Sequence, residues 1–307
     1  MPRRSRWSGL LVLVVLGLAF LALPHVYANQ SLLFTMMTFI ALAQGLNLLY
    51  GFTGYLPFGY VGFFGAGAYG MSLLVLHAGM PALLAVLGGG IAAAAVAVIL
   101  GPLLRLSGAY FSIANLATSQ ILYLVVANPA LSPVTGGPYG LKIERVFAPE
   151  AAYLTMLAIM LIASAIAIFF RVSRFGLGLR AMTEDRVSAE MAGIDIVRAR
   201  LIVWLVSAAI AGLAGSAYAW SISVYYPQAV FGLQISVFAI VFALFGGVGT
   251  VIGPIVGAAA LYALYNAIGI TVPQYFELIY GFLIVVLVLF LPDGVLSLLE
   301  RRGIRVL

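Results

Sequence analysis

Apolar residues run along this chain in continuous blocks of about 18 or more, separated by short clusters of glycine, proline and arginine. A helix of that length crosses the hydrocarbon layer of a bilayer. The blocks do not alternate apolar with polar positions, so helices fit and a membrane β-barrel does not. The pattern predicts about ten spans, within a range of eight to ten: residues 7–27, 31–49, 58–76, 81–104, 110–126, 151–170, 201–220, 230–247, 251–268 and 276–291. The expected fold class is an all-α polytopic membrane protein, with residues 1–307 forming one membrane domain and no sizeable aqueous domain.

Two connections between spans carry no charge and are rich in glycine. They are "LLYGFTGYLPFGYVGFFGAGAYG" (48–70) and "FALFGGVGTVIGPIVGAAALY" (242–262). Each reads as an entering span, a glycine turn and an exiting span with a small residue at every fourth position: Gly62, Ala66 and Gly70, then Gly249, Gly253 and Gly257. That spacing lets helix backbones approach closely. Glycine turns also suit the broken helices that transporters place around a substrate. Gly51, Gly54, Gly246, Gly247 and Gly249 are therefore candidates for a translocation path, with plain helix packing as the alternative.

Polar side chains within spans point the same way. In "YFSIANLATSQILYLVVAN", Ser112, Asn115 and Ser119 share one helix face, flanked by Thr118 and Gln120. Gln44 and Asn47 lie one turn apart in the second span. An amide in hydrocarbon is costly unless it meets protein or water. Gln44, Asn47, Ser112, Asn115 and Ser119 either line a path for a small polar solute or hold helices together. The loop "SPVTGGPYGLKIERVFAPE" (132–150) either seats an external partner or only connects two spans.

Composition sharpens the class. The chain is 64% hydrophobic and 8% charged, with mean hydropathy +1.17, whereas soluble domains carry about 25% charged residues. With the N-terminus placed in the cytoplasm, 13 of the 15 basic residues fall inside, leaving only Lys142 and Arg145 outside. The bias predicts an even number of spans and both termini cytoplasmic. "MPRRSRW", an apolar run and "VYA" also fit the outline of a cleavable signal peptide, but a first span with a basic flank accounts for the same residues.

Several chemistries lack residues. There is no cysteine, and no paired carboxylates, Ser/His/Asp set or metal-ligand cluster appears. No catalytic residue, metal or cofactor is therefore expected. A P-loop needs lysine followed by Ser or Thr, and the only lysine, Lys142, precedes isoleucine. The spans hold almost no ionisable group to carry ion coupling; His25 and His77 sit at span ends, Glu277 near the start of the last span and Asp293 just past it. What remains is a channel, or the membrane half of a transporter powered by another subunit.

The charge that is present is concentrated. Residues 171–200 hold Arg171, Arg174, Arg180, Glu184, Asp185, Arg186, Glu190, Asp195, Arg198 and Arg200, ten of the chain's 15 basic and 9 acidic residues. Within this loop, 183–193 reads as a short helix with Thr183 as N-cap and Gly193 as terminator. Ala181, Met182, Ala189, Met191 and Ala192 scatter apolar contacts among its charges, which suits a helix lying against another protein.

The segment "SRFGLGLRAMTEDRVSAEMAGIDIVRARLIVWLVSAAIAGLAGSAYA" resembles the coupling-loop region of bacterial ABC importer permeases of the branched-chain amino-acid class. Five further blocks match that family in order: "GLNLLYGFTGYLPFGYVGFFGAGAY", "LRLSGAYFSIANLATSQILYLV", "TGGPYGL", "FGGVGTVIGPIVGAA" and "LFLPDGVLSLL". The pattern is closer to the LivM-type subunit than to its LivH-type partner. It departs at "NLATSQ", where the family more often shows a threonine–leucine stretch, and at "LPD", where a basic or glutamine residue often follows the proline. The resemblance implies a permease subunit in the bacterial cytoplasmic membrane that works with a second, LivH-type permease. It also implies two cytoplasmic ABC ATPases and a periplasmic or lipid-anchored binding protein, and no nucleic acid. Ala181, Glu184, Asp185, Ala189, Glu190 and Gly193 would form the coupling helix within the 171–200 loop. A urea or short-amide importer and a passive channel are the alternatives.

Overall fold

The computed structural model describes residues 4–27, 29–271, 273–275, 278, 281–282, 285 and 294–296. The chain forms α1 (Arg4–Val26), α2 (Gln30–Thr53), α3 (Val61–Ala78), α4 (Ala82–Ile99), α5 (Gly108–Val126), α6 (Ser132–Thr135) and α7 (Pro149–Val172). It continues with α8 (Arg174–Glu184), α9 (Arg186–Met191), α10 (Ile196–Ile222), α11 (Pro227–Phe231), α12 (Leu233–Gly246) and α13 (Ile252–Thr271). Among the described residues, nine helical stretches are long and apolar enough to cross a membrane, α11 and α12 counting together as one. They answer to the first nine predicted spans. The predicted tenth, 276–291, lies largely outside the described residues, as do Glu277, Asp293 and most of "LFLPDGVLSLL".

Local chemistry sets the ends. The Asn29 side chain accepts from Leu32 N at 3.0 Å and opens α2. Gly54 and Gly79, at φ +75° and +61°, close α2 and α3 in the left-handed conformation that glycine tolerates. Three boundaries differ from expectation. The 81–104 block is helical only to Ile99 and then tightens into a 3-10 turn, Gly101–Arg105, with Pro102 near its start. The 58–76 block is helical only from Val61. The 230–247 block breaks at Gly232 into α11 and α12.

The central pack is α3, α4 and α10, and its contacts are backbone to backbone. A Cβ on Gly67 would sit 2.0 Å from Gly212 O, and one on Gly215 would sit 1.9 Å from Phe64 O. A Cβ on Gly89 would meet Ser216 Oγ at 2.0 Å. The Ser216 hydroxyl bridges Gly67 O at 2.9 Å, and Trp204 Nε1 donates to Ala97 O at 2.8 Å. In lipid, such close approach replaces the hydrophobic drive that water would supply. The helix α2 lies against this pack and is almost wholly buried, whereas α1 rides on α7 with Leu10, Leu11, Val14 and Leu18 exposed.

At the end away from the arginine-rich loop, residues 141–142 (β1) pair antiparallel with residues 224–225 (β2), Leu141 opposite Tyr225. Ile143 N donates to Ser223 O at 2.7 Å and Trp220 Nε1 to Val146 O at 2.7 Å. The long Gly/Pro-rich loop is thereby seated on the end of α10.

Candidate functional site

The first glycine segment does not turn at the end of the bundle. After α2 ends at Thr53, residues 54–60 run unwound, and Tyr60 reaches the carbonyl of Ser207 with its hydroxyl at 2.8 Å. Ser207 lies about three turns into α10 from Ile196, so this non-helical backbone sits deep within the bundle. Backbone at that depth must find partners in the protein. The Ser112 hydroxyl donates to Leu56 O at 2.7 Å. Gly59 N donates to Asn115 Oδ1 at 2.7 Å, and Val61 N to Ser236 Oγ at 2.8 Å. A Cβ on Gly59 would fall 2.0 Å from Asn115 O, and one on Gly62 3.0 Å from the Ser119 Cβ. The three polar residues of α5 thus face the protein, while Tyr110, Ile113, Ile121 and Leu124 of the same helix are exposed. That is the arrangement lipid favours, polar face in and apolar face out.

The second glycine segment is a tight turn. Gly247 and Gly249 take φ +109° and +77°, and Thr250 Oγ1 accepts from Gly253 N at 3.1 Å while donating to Gly247 O at 2.8 Å. Asn47 clasps it from α2: Gly249 N donates to Asn47 Oδ1 at 2.7 Å, and Asn47 Nδ2 donates to Thr250 O at 2.7 Å. One turn earlier, Gln44 Nε2 donates to Val251 O at 2.7 Å, leaving its buried Oε1 without a partner. Gly51 completes the contact, since a Cβ there would meet Gly249 N at 2.5 Å. The helices α12 and α13 touch through backbone, a Cβ on Gly246 lying 1.8 Å from Gly253 O.

The candidate path residues therefore gather in two clusters. Gln44, Asn47, Gly51, Gly246, Gly247 and Gly249 surround the second segment, and Ser112, Asn115 and Ser119 surround the first. Gly54 closes α2 with nothing within 4 Å of a Cβ placed on it.

The charged loop folds as two helices rather than one. The Ser173 hydroxyl caps α8 by accepting from Gly176 N at 3.1 Å. Glu184 ends α8, and the N-cap of α9 is Asp185, not Thr183: Asp185 Oδ1 accepts from Val187 N at 3.0 Å. Thr183 instead turns its hydroxyl back to Arg180 O at 2.8 Å. Thr183 still lies within α8, which ends at Glu184, so Asp185 is the residue placed to cap the free amides of α9. The Ser188 hydroxyl and the Val187 and Ser188 amides hold the Asp185 carboxyl below the usual aspartate value. Gly193, at φ +82°, terminates α9 as expected. Ala189 faces inward, while Glu190 pairs with Arg186 on the exposed face at 3.1 Å. Val187 and Met191, one turn apart, are 65% and 83% exposed, an apolar pair turned outward on α9.

Three arginines counted in the sequence only for topology do something further. Arg171 donates through Nη1 to Gly249 O in the second segment. Arg180 lies 5.5 Å over the Phe52 ring and donates to Arg171 O at 3.3 Å. Arg200 lies 4.9 Å over the Tyr55 ring. Phe52 and Tyr55 bracket the start of the first segment, so the charged loop and its flanking helices touch both glycine segments. Aromatic residues beside the glycines, opposite a surplus of arginine, were the available signal.

A helical membrane bundle with unwound, side-chain-satisfied segments is the architecture of membrane transport proteins. Residues 29–288 match the family described as branched-chain amino acid transport system / permease component, and the chain belongs to that family. The high-affinity branched-chain amino acid transport system permease protein LivM of Salmonella typhimurium is 27% identical over 94% of this chain and 74% of its own length. LivM of Escherichia coli is 28% identical over 85% of this chain and 68% of its own. The LivH permease protein of Escherichia coli is 30% identical over 48% of this chain and 49% of its own. No solved structure matches the chain.

Proposed function

We propose that this chain is the LivM-type permease subunit of an ATP-driven importer of branched-chain amino acids. The observation that carries the reading is the family match along 29–288, together with a loop whose arginines reach both glycine segments. In this reading α9 docks on a cytoplasmic ATPase through Val187 and Met191, with Glu184, Asp185 and Glu190 around them and Ala181, Ala189 and Gly193 holding its shape. A push on the loop moves Arg171 and Arg180, and through them the second and first glycine segments, which gate the path. Gln44, Asn47, Ser112, Asn115 and Ser119 keep those segments in register. The likeness to both LivM and LivH supports pairing with a second, related permease. A binding protein delivering the amino acid completes the assembly, and both termini face the cytoplasm.

The test is reconstitution of the chain in liposomes, alone and with a LivH-type permease, the ATPases and the binding protein. Leucine uptake requires the whole set and ATP; leucine or urea equilibrating through this chain alone overturns the reading. Gly193→Pro forces a φ near −65° where +82° is needed. That variant, and charge reversal of Glu184 with Glu190, abolish uptake while leaving membrane insertion intact.

A further inference from the structure

A cavity of about 700 Å³ opens at the arginine-rich end of the bundle, beside Tyr55 at the start of the first glycine segment. Arg105, Arg186, Arg200, Ser107 and Tyr55 line it, and no Asp or Glu does. Among the described residues Arg105 and Arg200 have no carboxylate within ion-pair distance; only Arg186 does, through Glu190. Arg200 Nε is buried and makes no hydrogen bond. The cavity also receives the N-terminus of the 19-residue α5. Ser107 occupies its N-cap position without capping it, and its first turn holds no acidic residue. Three guanidiniums, an idle hydroxyl and an uncapped helix start converge on one space, which is a setting for an anion with several acceptor oxygens.

The other walls are apolar. Val98 and Leu201 line the cavity while being 60% and 36% exposed on the surface that faces lipid in a spanning bundle. A ligand entering there meets arginine at one end and hydrocarbon at the other.

We propose that this cavity binds the phosphate headgroup of an anionic membrane lipid, with its acyl chains lying along Val98 and Leu201. Bound there, the phosphate bridges Arg105 of the α4–α5 connection, Arg186 at the start of α9 and Arg200 of α10. It thereby ties the charged loop to the bundle.

The full-length chain, delipidated in neutral detergent, is titrated with phosphatidylglycerol, phosphatidylcholine or glycerol 3-phosphate. Retained ligand is read by native mass spectrometry, and hydrogen exchange is read across 186–191. Phosphatidylglycerol is retained at least tenfold better than phosphatidylcholine and slows exchange in α9. Glycerol 3-phosphate, a phosphomonoester with at least as much negative charge but no chains, neither binds nor competes. Arg105→Gln with Arg200→Gln lowers phosphatidylglycerol retention by roughly ten- to thirtyfold, at about a few-fold for each arginine near a membrane surface. Arg174→Gln, outside the cavity, leaves it unchanged. If the double variant does not fold, Arg105→Gln alone is compared with Arg174→Gln, and equal retention in those two overturns the site. Equal retention of the two lipids also overturns it, and binding of glycerol 3-phosphate as tight as that of the lipid overturns the lipid occupant.

Discussion

The two glycine segments look alike as sequence and are built differently. The second is a turn in which backbone meets backbone: α12 and α13 touch at Gly246 and Gly253, and one side chain, Asn47, satisfies both a donor and an acceptor. The first is seven unwound residues held by single bonds from Ser112, Asn115 and Ser236 on two different helices. Composition explains the contrast. The second segment has glycine or Thr at nearly every turn position, so the chain reverses at once. The first interleaves Tyr55, Pro57, Phe58 and Tyr60, and Tyr55 and Tyr60 are buried. The proline and the buried rings give a longer non-helical path, which turns only at Pro57–Tyr60 as it enters α3. Charge-free, glycine-rich connections in a membrane thus come in two mechanical kinds. One is a clasp closed on itself by backbone; the other is a non-helical run whose supports belong to separate helices.

The largest effect is steric and falls on the glycines in close backbone contact, Gly59 in the first segment and Gly246 in the second. Gly246→Ala places a Cβ 1.8 Å from a backbone carbonyl, so α12 and α13 must part, at a cost of about 3 kcal/mol or more. Gly54→Ala, at the first residue of the first segment, meets open space and carries only the strain of a left-handed alanine, about 1–2 kcal/mol. Thermal unfolding in detergent ranks the two, and a Gly54 variant as damaged as the Gly246 one would show that the end of α2 has no room for a side chain.

Next comes the polar clasp. Asn47→Leu strands both Gly249 N–H and Thr250 C=O, costing about 2–5 kcal/mol. Asn115→Leu strands one amide, Gly59 N–H, at about 1–3 kcal/mol. Ser112→Ala leaves Leu56 C=O without that donor at about 1 kcal/mol. The same melting series checks the order, and Asn115 outranking Asn47 would break the contrast between a two-point and a one-point hold.

Much of this was legible beforehand, and the limits follow from what local pattern encodes. Nine spans appear where apolar length put them, because bilayer thickness is a one-dimensional constraint. The shared face of Ser112, Asn115 and Ser119 was visible as helical spacing, and the structure turns that face inward. What it touches was not visible, since the bonds of Ser112 and Asn115 reach backbone atoms far away in the chain, and backbone atoms carry no sequence signature. The glycines were recognised as close-contact positions, but α3, α4 and α10 hold an equally dense set, Gly67, Gly89, Gly212 and Gly215, in ordinary helices. The charged loop was found by composition alone, while its cap was displaced by two residues because Thr183 and Asp185 are both good caps. Only the end of α8, at Glu184, decides between them.

The ties from the loop sharpen the comparison at a smaller scale. Arg171→Gln removes a charged donor from Gly249 O, at about 1.5–3 kcal/mol. Arg180→Gln removes a cation from over Phe52, at about 0.5–2 kcal/mol. Hydrogen exchange locates the consequences. The Arg171 variant loosens residues 246–252, and the Arg180 variant loosens the end of α2 and residues 54–60. Loosening of both segments by either variant would show one mechanical unit where the structure has two.

The smallest effect concerns pH at the tip of the loop. The hydroxyl of Ser188 and two amides stabilise the ionised Asp185 carboxylate, so its folded-state affinity for a proton is below that of the unfolded chain. A group depressed in this way contributes stability above its unfolded pKa and loses it as pH falls through the folded one. The cap of α9 is therefore complete from pH 8 down to pH 5 and is lost only in more acidic solution. Exchange across 186–191, corrected for its intrinsic pH dependence, stays flat over that range. Asp185→Ala speeds it throughout, and Asp185→Asn, which keeps the accepting oxygen, speeds it less. Neither variant alters exchange at 246–252, because α9 packs on α8 and α10, and it is Arg171 of α7 that reaches that segment. A change there would mean that the tip of the loop and the second clasp share a direct connection that the side-chain contacts do not contain.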